Sequence, residues 1–353
     1  MSNRMLYLVL LAFTIACSRS SDAGGTVDKP DTTGATFTNP LLPGGPDPWV
    51  FFKDGKYYYT STLGNRVGVR VTNKMSALKD APLVTLWTPP ADGPYSREIW
   101  APEIHFVQGK WYVYFAADNG SNDNHRMYVI ENGNADPTQG SWTFKGKIAD
   151  ATDKWAIDGS VFEYNSKLYM IWSGWEGDTN EKQQIYIAPL SNPWTIGGDR
   201  VMISTPTYDW EKRGNSGGLP QVNEGPEALI SPTGRLFLTY SASGCWTDDY
   251  ALGLLTLKEG GDPLNAADWQ KSATPVFSKS ESSGAFGPGH NGFFKSVDQK
   301  ESWIIYHANP LPGQGCGNNR SPRMQPFTWK ADGTPDFGQP ANIAVPLQVP
   351  SGE

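Results

Sequence analysis

Apolar and polar residues alternate in short runs along most of this chain, with the two-residue period of β-strands. Five of these runs share one pattern, in which a turn with a polar or charged residue leads into an aromatic-rich strand. The runs are DGKYYYTST from residue 54, QGKWYVYFAA from 108, NSKLYMIWSG from 165, TGRLFLTYSA from 233 and QKESWIIYHA from 299. Their polar turn residues, 54 to 68 residues apart, are Lys56, Lys110, Lys167, Arg235 and Glu301. The spacing indicates five copies of one β-structured unit.

Each run is the middle strand of a predicted three-stranded unit. The strands before the runs are PWVFF, PEIHFV, GSVFEY, EALIS and NGFFKSV, and the strands after them are RVGVRVT, HRMYVIE, QQIYIAP, ALGLLTL and MQPFTWK. Helical periodicity is almost absent. Because a strand repeat of this length is typical of propeller blades, we predict an all-β fold, a five-bladed β-propeller. A β-sandwich or β-helix with irregular hairpins is the alternative.

Composition narrows the class of partner. The 353 residues are 38% hydrophobic and 12% aromatic, enough for a substantial core, and 38 Gly and 28 Pro favour many turns. The formal net charge is -7, and no stripe of Lys and Arg interrupts the chain. This balance argues against a nucleic-acid partner and favours a neutral ligand.

The first residues are predicted to be an export signal. Residues 1–17 contain a basic start at Arg4, an apolar run too short to span a membrane and a small residue before Cys17. The ending TIAC resembles the bacterial lipobox, in which the cysteine is lipidated; plain cleavage nearby is the alternative. We therefore predict an exported bacterial lipoprotein, in the periplasm or at the outer membrane or cell surface, whose only membrane contact is this anchor. Residues 18–37 read as a flexible tether and 38–350 as the folded domain.

Two cysteines remain in the domain. Cys245 and Cys316 form an even pair in an exported chain, where oxidation is permitted. We predict a disulfide between them, because two isolated cysteines make a poor metal site.

Charged residues precede the first strand of each predicted blade. They are Asp47, Glu103, Asp158, Glu224 and His290. The innermost strands of a propeller run along its central channel, so these side chains are predicted to gather at one mouth of the axis. Each alone reads equally well as a turn residue or strand cap. Like charges in a partly desolvated funnel shift one another's pKa values, which favours an active site on the axis.

Four short motifs resemble glycoside hydrolase family 43. They are PDPWV, WAPEI, IDGS and EGPEAL, in this order, and the resemblance covers residues from about 38 to 348. It implies a five-bladed propeller and an inverting acid/base mechanism, with Asp47 as general base, Glu224 as general acid and Asp158 as the carboxylate that orients the acid and raises its pKa. Glu227 is the rival for the acid role, and we interpret it as a strand residue pointing elsewhere.

The same resemblance implies the residues that bind sugar. Trp100 with Ala101 matches a pocket wall, Ile157 precedes Asp158, and Arg323 resembles an arginine that reaches sugar hydroxyls. Core packing is the alternative for Trp100. His290 is expected to touch sugar, hold a water or help bind calcium through water. One His is too little for a protein-ligated metal site, so we expect that no cofactor is required. A structural calcium at the axis, as in some relatives, is the alternative.

The stretches SASGCWTDDYALGLL and GPGHNGFF look most like exo-acting α-L-arabinofuranosidases of the family. The expected reaction releases terminal arabinofuranose from arabinan or arabinose-decorated plant polysaccharides and oligosaccharides. A β-xylosidase, an endo-arabinanase and a catalytically inactive carbohydrate-binding propeller are the alternatives. We expect a monomer.

Overall fold

β-Strands make up most of the regular structure. The computed structural model describes Met1 and residues 34–353. Strands β1 to β23 lie in this part of the chain, and its helices are short 3₁₀ helices at Met75–Asp80, Asn122–Asn124, Asp209–Lys212, Ala266–Asp268 and Glu281–Ser283. The all-β prediction is confirmed. Within the described residues, no helix has the length and apolar character needed to cross a membrane. The predictions for the export signal, Cys17 and nearly all of the tether concern residues outside the described ones.

The first two units form four-stranded antiparallel sheets. After the short β1 (Thr36–Phe37), the first sheet contains β2 (Trp49–Lys53), β3 (Lys56–Thr60), β4 (Val67–Thr72) and β5 (Leu83–Trp87). The second sheet contains β6 (Arg97–Val107), β7 (Lys110–Asp118), β8 (Arg126–Asn132) and β9 (Thr143–Lys147). Strands pair in chain order within both sheets.

The next two units share one nine-stranded sheet. The third unit contains β10 (Ala156–Tyr164), β11 (Lys167–Gly174), β12 (Lys182–Asn192), β13 (Thr195–Ile196) and β14 (Val201–Ser204). The fourth contains β15 (Gln221–Ile230), β16 (Leu236–Ala242), β17 (Ala251–Leu257) and β18 (Trp269–Lys271). A short parallel pairing of β12 with β15 joins them, through Lys182 with Gln221 and Gln183 with Val222.

The fifth unit is again a separate four-stranded sheet. It contains β19 (Phe286–Lys295), β20 (Ser302–Asn309), β21 (Ser321–Trp329) and β22 (Pro335–Asp336). The last strand, β23 (Leu347–Gln348), pairs antiparallel with β1. This pairing ties the two ends of the described domain together.

Tight turns set the register of the hairpin between the first and second strands in the first three units. Both central residues of each turn have a positive φ, and the pairs are Asp54-Gly55, Gln108-Gly109 and Asn165-Ser166. Two successive left-handed residues are typical of the two-residue turn whose twist matches antiparallel strands. The turn residues in the repeat therefore fix where each aromatic strand begins.

Hydrophobic clusters fill the space between successive units. One cluster holds Val69 of the first sheet against Ile104 of the second, and comparable clusters join the second to the third, the third to the fourth and the fourth to the fifth. A fifth cluster packs Tyr57 of the first sheet against Trp303 of the last. The first strands of the units also contact one another in the cycle β2, β6, β10, β15, β19 and back to β2. The N-terminal ends of these strands consequently lie close together.

Candidate active site

A left-handed residue lies in the first strand of four units and just before the first strand of the remaining one. These residues are Asp47, Ala101, Asp158, Gly225 and His290, with φ between 43° and 59°. In four of the five units the antiparallel register shifts at this point. A positive φ is costly for residues other than glycine and persists where the surrounding structure requires it, commonly at functional sites. Four such residues at strand ends that lie close together therefore point to a built site.

A cavity of about 590 Å³ opens where these strand ends meet. All three predicted catalytic side chains, Asp47, Asp158 and Glu224, line it. Its other lining side chains include several aromatic and apolar groups and several neutral polar groups, among them Trp100, Trp155, Ile157, Leu219, Trp246, Thr62, Asn122, Asn180, Gln183 and Asn318. Aromatic faces beside neutral hydrogen-bonding groups suit a sugar, which has apolar C–H faces and hydroxyl edges.

Asp47 is held as a carboxylate by its neighbours. Its Oδ1 accepts a hydrogen bond from Arg320 Nη1 at 3.0 Å, and its Oδ2 accepts one from the Thr62 hydroxyl at 2.6 Å. His290 Nδ1 and His307 Nδ1 lie 3.4 and 3.5 Å from Oδ1. Burial by itself raises the pKa of Asp47, but the Arg320 guanidinium, the two imidazoles and the Thr62 hydroxyl outweigh it and hold the pKa well below its ordinary value. Asp47 is therefore ionised at neutral pH.

Glu224 and Asp158 retain protons more readily. Burial raises the pKa of Glu224 to about 7, the negative charge of Asp47 adds to the rise, and a 2.8 Å hydrogen bond from Tyr250 opposes it. Burial, and then the charge of Glu224, raise the pKa of Asp158 well above its ordinary value. A 2.9 Å hydrogen bond from the Gly225 N–H to Asp158 Oδ2 partly opposes that rise. The two carboxyls thus hold a proton at a pH where Asp47 has none.

Glu103 and Glu227 lie outside the cavity, two positions further along their strands than the left-handed residues. Both are buried and neither lines it. Glu227 accepts a 3.3 Å hydrogen bond from the Ser160 hydroxyl and hydrogen bonds to Glu103, whose Oε2 lies 2.8 Å from His105 Nε2. The prediction that Glu103 stands in register with Asp47 is corrected here, because Ala101 occupies that position. Glu227, as interpreted from the sequence, points away from the site.

The predicted sugar-binding residues fall into two groups. Trp100, Ile157 and His290 line the cavity. Ala101 is buried beside it and acts through its backbone: its N–H donates to the Thr62 Oγ1 at 2.7 Å, which orients that hydroxyl toward Asp47. Of the predicted pair Trp100 and Ala101, only the Trp100 indole therefore forms part of the cavity wall.

Arg323 does not lie at the cavity, so its predicted contact with sugar is wrong. Its side chain is fully buried, and its guanidinium donates to the backbone carbonyls of Gly284 at 2.8 Å and Ala308 at 3.3 Å. The arginine at the cavity is Arg320, three residues earlier in the same stretch. Strand β21 begins at Ser321, so Arg320 belongs to the loop at the cavity whereas Arg323 points into the packing inside the sheet unit.

The sequence reasoning also missed Thr62 and Tyr250, which donate to the Asp47 and Glu224 carboxyls, and His307, which accepts from the Asp47 backbone N–H. Tyr250 and His307 are embedded in the apolar stretches DDYALGLL and SWIIYHAN and read as core residues. The only available signal was polarity at the end of a strand, which is common elsewhere in this chain.

The rim of the cavity carries a covalent link. Cys245 and Cys316 form a disulfide with a Cα–Cα distance of 5.1 Å, and both line the cavity. The disulfide joins the loop after β16 to the loop after β20. It therefore ties the segment that carries Trp246 to the segment that carries Arg320.

A protein-ligated metal does not fit these residues. Calcium takes six to eight oxygen ligands, whereas His290 offers a nitrogen, and the nearby Asp47 oxygen is already hydrogen bonded to Arg320. Among residues 34–353 no group of three or more His, Cys, Asp or Glu side chains could hold a metal ion. Calcium held through water stays a prediction.

One ionised carboxyl and one protonated carboxyl in a shared cavity can act as base and acid in the same reaction cycle. Environments that push two carboxyl pKa values apart define such a pair. Asp47 and Glu224 meet this condition, since a cation stabilises one charge and burial suppresses the other.

Comparisons with known proteins agree with this geometry. Residues 37–335 match the model of the family described as Glycosyl hydrolases family 43. An extracellular exo-alpha-(1->5)-L-arabinofuranosidase from Streptomyces avermitilis is 42% identical over 98% of this chain and 72% of its own length. Alpha-L-arabinofuranosidase 43 from Humicola insolens is 36% identical over 94% of this chain and 67% of its own. The crystal structure of an alpha-L-arabinofuranosidase from Lactobacillus brevis aligns with a TM-score of 0.81 and 39% identity, covering 87% of this chain and 98% of that one. The chain described here belongs to glycoside hydrolase family 43.

Proposed function

We propose that this protein is an inverting exo-acting α-L-arabinofuranosidase that releases terminal arabinofuranose from arabinan or arabinose-decorated glycans. The observation that carries the proposal is the pair of opposite protonation states, an ionised Asp47 and a protonated Glu224 lining one cavity. The choice of sugar is supported by the names of the relatives that are 42% and 36% identical to the chain.

The chemistry follows from those two states. Glu224 donates its proton to the glycosidic oxygen as the bond from that oxygen to the anomeric carbon breaks. Asp47 accepts a proton from a water whose oxygen attacks the anomeric carbon from the opposite face. The products are free arabinose of inverted anomeric configuration and the shortened glycan. The two carboxyls exchange protons with solvent afterwards, which restores the starting state.

The remaining polar groups support this cycle. Arg320 and Thr62 hold the two oxygens of Asp47 and keep its charge in place. Asp158, fixed by the Gly225 N–H, lies near enough to Glu224 for their negative charges to repel, which disfavours the state in which both carboxyls are ionised.

We also propose that residues 38–350 form a five-bladed β-propeller with the site on its axis. Support comes from the five units of four or five strands, from the clusters between each successive pair and from the cyclic contacts of the first strands. Small-angle scattering of the domain in solution tests it: a toroidal disc-like profile is expected, and an elongated one would contradict the proposal.

A substrate panel tests the activity. We expect release of p-nitrophenol from p-nitrophenyl α-L-arabinofuranoside and of free arabinose from debranched arabinan. Release of p-nitrophenol from p-nitrophenyl β-D-xylopyranoside should be far slower. Xylose released faster than arabinose would make the protein a β-xylosidase, and oligosaccharides as first products from arabinan would make it an endo-arabinanase. No release from any substrate, with retained sugar binding, would make it a carbohydrate-binding protein.

We propose export with a lipid anchor at Cys17, supported by the signal-like first 17 residues and by relatives named extracellular. In a bacterial host, Cys17→Ala is expected to move the protein from the membrane fraction to the soluble fraction with unchanged specific activity. An unchanged membrane fraction would contradict the anchor.

We propose that the domain acts as a monomer without a resident metal. Light scattering is expected to give the mass of one chain, and EDTA is expected to leave activity unchanged. Loss of activity in EDTA with recovery on adding calcium would instead support calcium held through water at His290.

A further inference from the structure

Tyr250 and His307 form a stacked pair between the two carboxyls that the proposed function makes acid and base. Their ring centroids lie 5.8 Å apart with the planes at 8°, and both side chains are buried. The Tyr250 hydroxyl donates to Glu224 Oε1 at 2.8 Å, and the Asp47 backbone N–H donates to His307 Nδ1 at 3.1 Å. Neither ring lines the cavity, so both act through other residues.

We propose that this pair positions the two catalytic carboxyls: Tyr250 fixes which oxygen of Glu224 carries the acidic proton, and His307 holds the strained backbone of Asp47. The inference rests on the proposed function and adds two positioning residues to it.

A chain of hydrogen bonds sets the direction of the Tyr250 hydroxyl. The His290 backbone N–H donates to Ser241 Oγ at 2.8 Å, and the Ser241 side chain also hydrogen bonds to Tyr250. Because Ser241 Oγ already accepts from His290, its own proton is directed to the Tyr250 oxygen. The single phenolic proton then goes to Glu224 Oε1. An oxygen that accepts this bond is a poor site for the acidic proton, so Oε2 carries it.

Two glycines of strand β19 leave space for the Tyr250 ring. A Cβ added at Gly289 would lie 2.4 Å from the Tyr250 ring, closer than any real contact, and Gly287 also packs against this residue. The sequence GPG before His290 therefore lets strand β19 approach the aromatic ring. The ring is held rigidly as a result, which fixes the hydroxyl with it.

His307 must be neutral to accept the hydrogen bond from the Asp47 backbone N–H. Burial, and then the charge of Arg320, lower its pKa well below the ordinary value. Nδ1 accepts the Asp47 N–H, so the neutral ring carries its proton on Nε2, for which residues 34–353 supply no hydrogen-bond partner. A buried donor without a partner is unusual and needs a reason. The reason here is the acceptor at Nδ1, which satisfies the buried amide of Asp47 at a φ of 59°.

The groups that face Glu224 predict the effect of removing the hydroxyl. Asp47 precedes β2, Asp158 lies on β10, Arg320 precedes β21 and Tyr250 precedes β17. The ionisable side chains of Asp47, Asp158 and Arg320 stay in a Tyr250→Phe variant. Only the hydrogen bond from the Tyr250 hydroxyl, which favours the ionised form of Glu224, is lost, so the pKa of Glu224 rises.

The first experiment measures kcat/KM against pH for Tyr250→Phe on p-nitrophenyl α-L-arabinofuranoside. Loss of a hydrogen bond to a charged group is expected to move the alkaline limb up by about one pH unit. Tyr240→Phe is the matched control, because Tyr240 is buried and its hydroxyl donates to Glu211 Oε1 at 3.0 Å, away from the cavity. An unmoved limb, a downward shift, or an equal shift in the control would overturn the role of Tyr250.

The second experiment compares His307→Asn with His307→Gln. Asn can place its oxygen near the Nδ1 position, whereas the longer Gln reaches toward Nε2. We expect kcat to fall less than tenfold for Asn and about a hundredfold for Gln, with little change in KM, and melting curves show whether each variant is folded. Equal losses in two folded variants would overturn the role of His307.

If the wild-type protein hydrolyses arabinofuranosides and every variant matches it, this inference fails alone. If the wild type hydrolyses no glycoside, the proposed function fails with it.

Discussion

Two layers of carboxyl groups face the interior from the same set of strands, and their surroundings differ. In the upper layer, Asp47, Asp158 and Glu224 line the cavity. In the lower layer, Glu103 and Glu227 lie two positions after the left-handed residues Ala101 and Gly225, and they are sealed from the cavity. Both layers gather like charges in a buried place, yet only the upper one has groups that treat its members differently.

The upper layer has a cation and the lower layer has none of fixed charge. Arg320 stabilises the negative charge of Asp47, while burial keeps Glu224 protonated. In the lower layer burial raises the pKa of Glu227 well above its ordinary value, the charge of Glu103 adds to the rise, and the two carboxyls share a hydrogen bond. Acids that are only buried together therefore share a proton. Where a cation also lies beside one of them, that acid ionises while the other keeps its proton, so the two can act as base and acid.

The largest expected effect comes from removing the proposed base. Asp47→Ala leaves no group to accept the proton of the attacking water, so kcat is expected to fall by about 10² to 10⁴. Added azide, which needs no deprotonation to attack, is expected to restore part of the activity. Near-wild-type turnover of Asp47→Ala would remove the upper layer from the mechanism.

Removing the cation is expected to make the upper layer resemble the lower one. In Arg320→Met the burial of Asp47 is no longer offset, so its pKa rises and the acidic limb of kcat/KM moves up by about one to two pH units. Arg66→Met removes a half-buried charge outside the cavity and serves as the control. An unmoved acidic limb would show that Arg320 does not stabilise the base.

A smaller shift of opposite sign is expected on the acid side. Asp158→Asn removes a carboxyl whose charge repels that of Glu224, so the pKa of Glu224 is expected to fall and the alkaline limb to move to lower pH by about one unit. The pH dependence of kcat/KM measures it directly. A shift to higher pH would mean that Asp158 acts on the acid mainly by hydrogen bonding.

The smallest effect on activity is expected in the lower layer. Glu227→Gln should keep activity within about threefold, because Glu227 is buried away from the cavity. Its raised pKa affects stability instead: the unfolded carboxyl ionises near pH 4.5 while the folded one stays protonated, so wild-type stability falls as pH rises above that value. The free energy of unfolding of the wild type should fall relative to the variant by up to about 1.4 kcal/mol per pH unit. A pH-independent difference would contradict a protonated Glu227.

Much of this organisation could be predicted from the sequence. Turns such as Asp54-Gly55 fixed the hairpins, the aromatic strands recurred at a regular spacing, and the three cavity carboxyls occurred in recognisable motifs. These features are local, because turn chemistry and alternation act over a few residues.

The errors arose where backbone conformation decides. Ala101 adopts the left-handed conformation that Asp47 and Asp158 adopt, and no side-chain pattern reveals it, so Glu103 was placed in the wrong layer. Arg320 and Arg323 are three residues apart, and only the starting point of β21 determines which of them reaches the cavity. Contacts between units, such as Tyr250 with Glu224, depend on the tertiary arrangement and have no local signature.

The leaving-group dependence of Glu224→Ala beside Glu227→Ala tests the division between the layers most directly. A phenolate with a low pKa leaves without a proton, whereas a sugar hydroxyl needs one, so loss of the proton donor should depend on the leaving group. We expect Glu224→Ala to lose far more activity on arabino-oligosaccharides than on dinitrophenyl arabinofuranoside, and Glu227→Ala to lose similar, smaller fractions on both. Leaving-group dependence in Glu227→Ala and none in Glu224→Ala would place the acid in the lower layer and contradict the account.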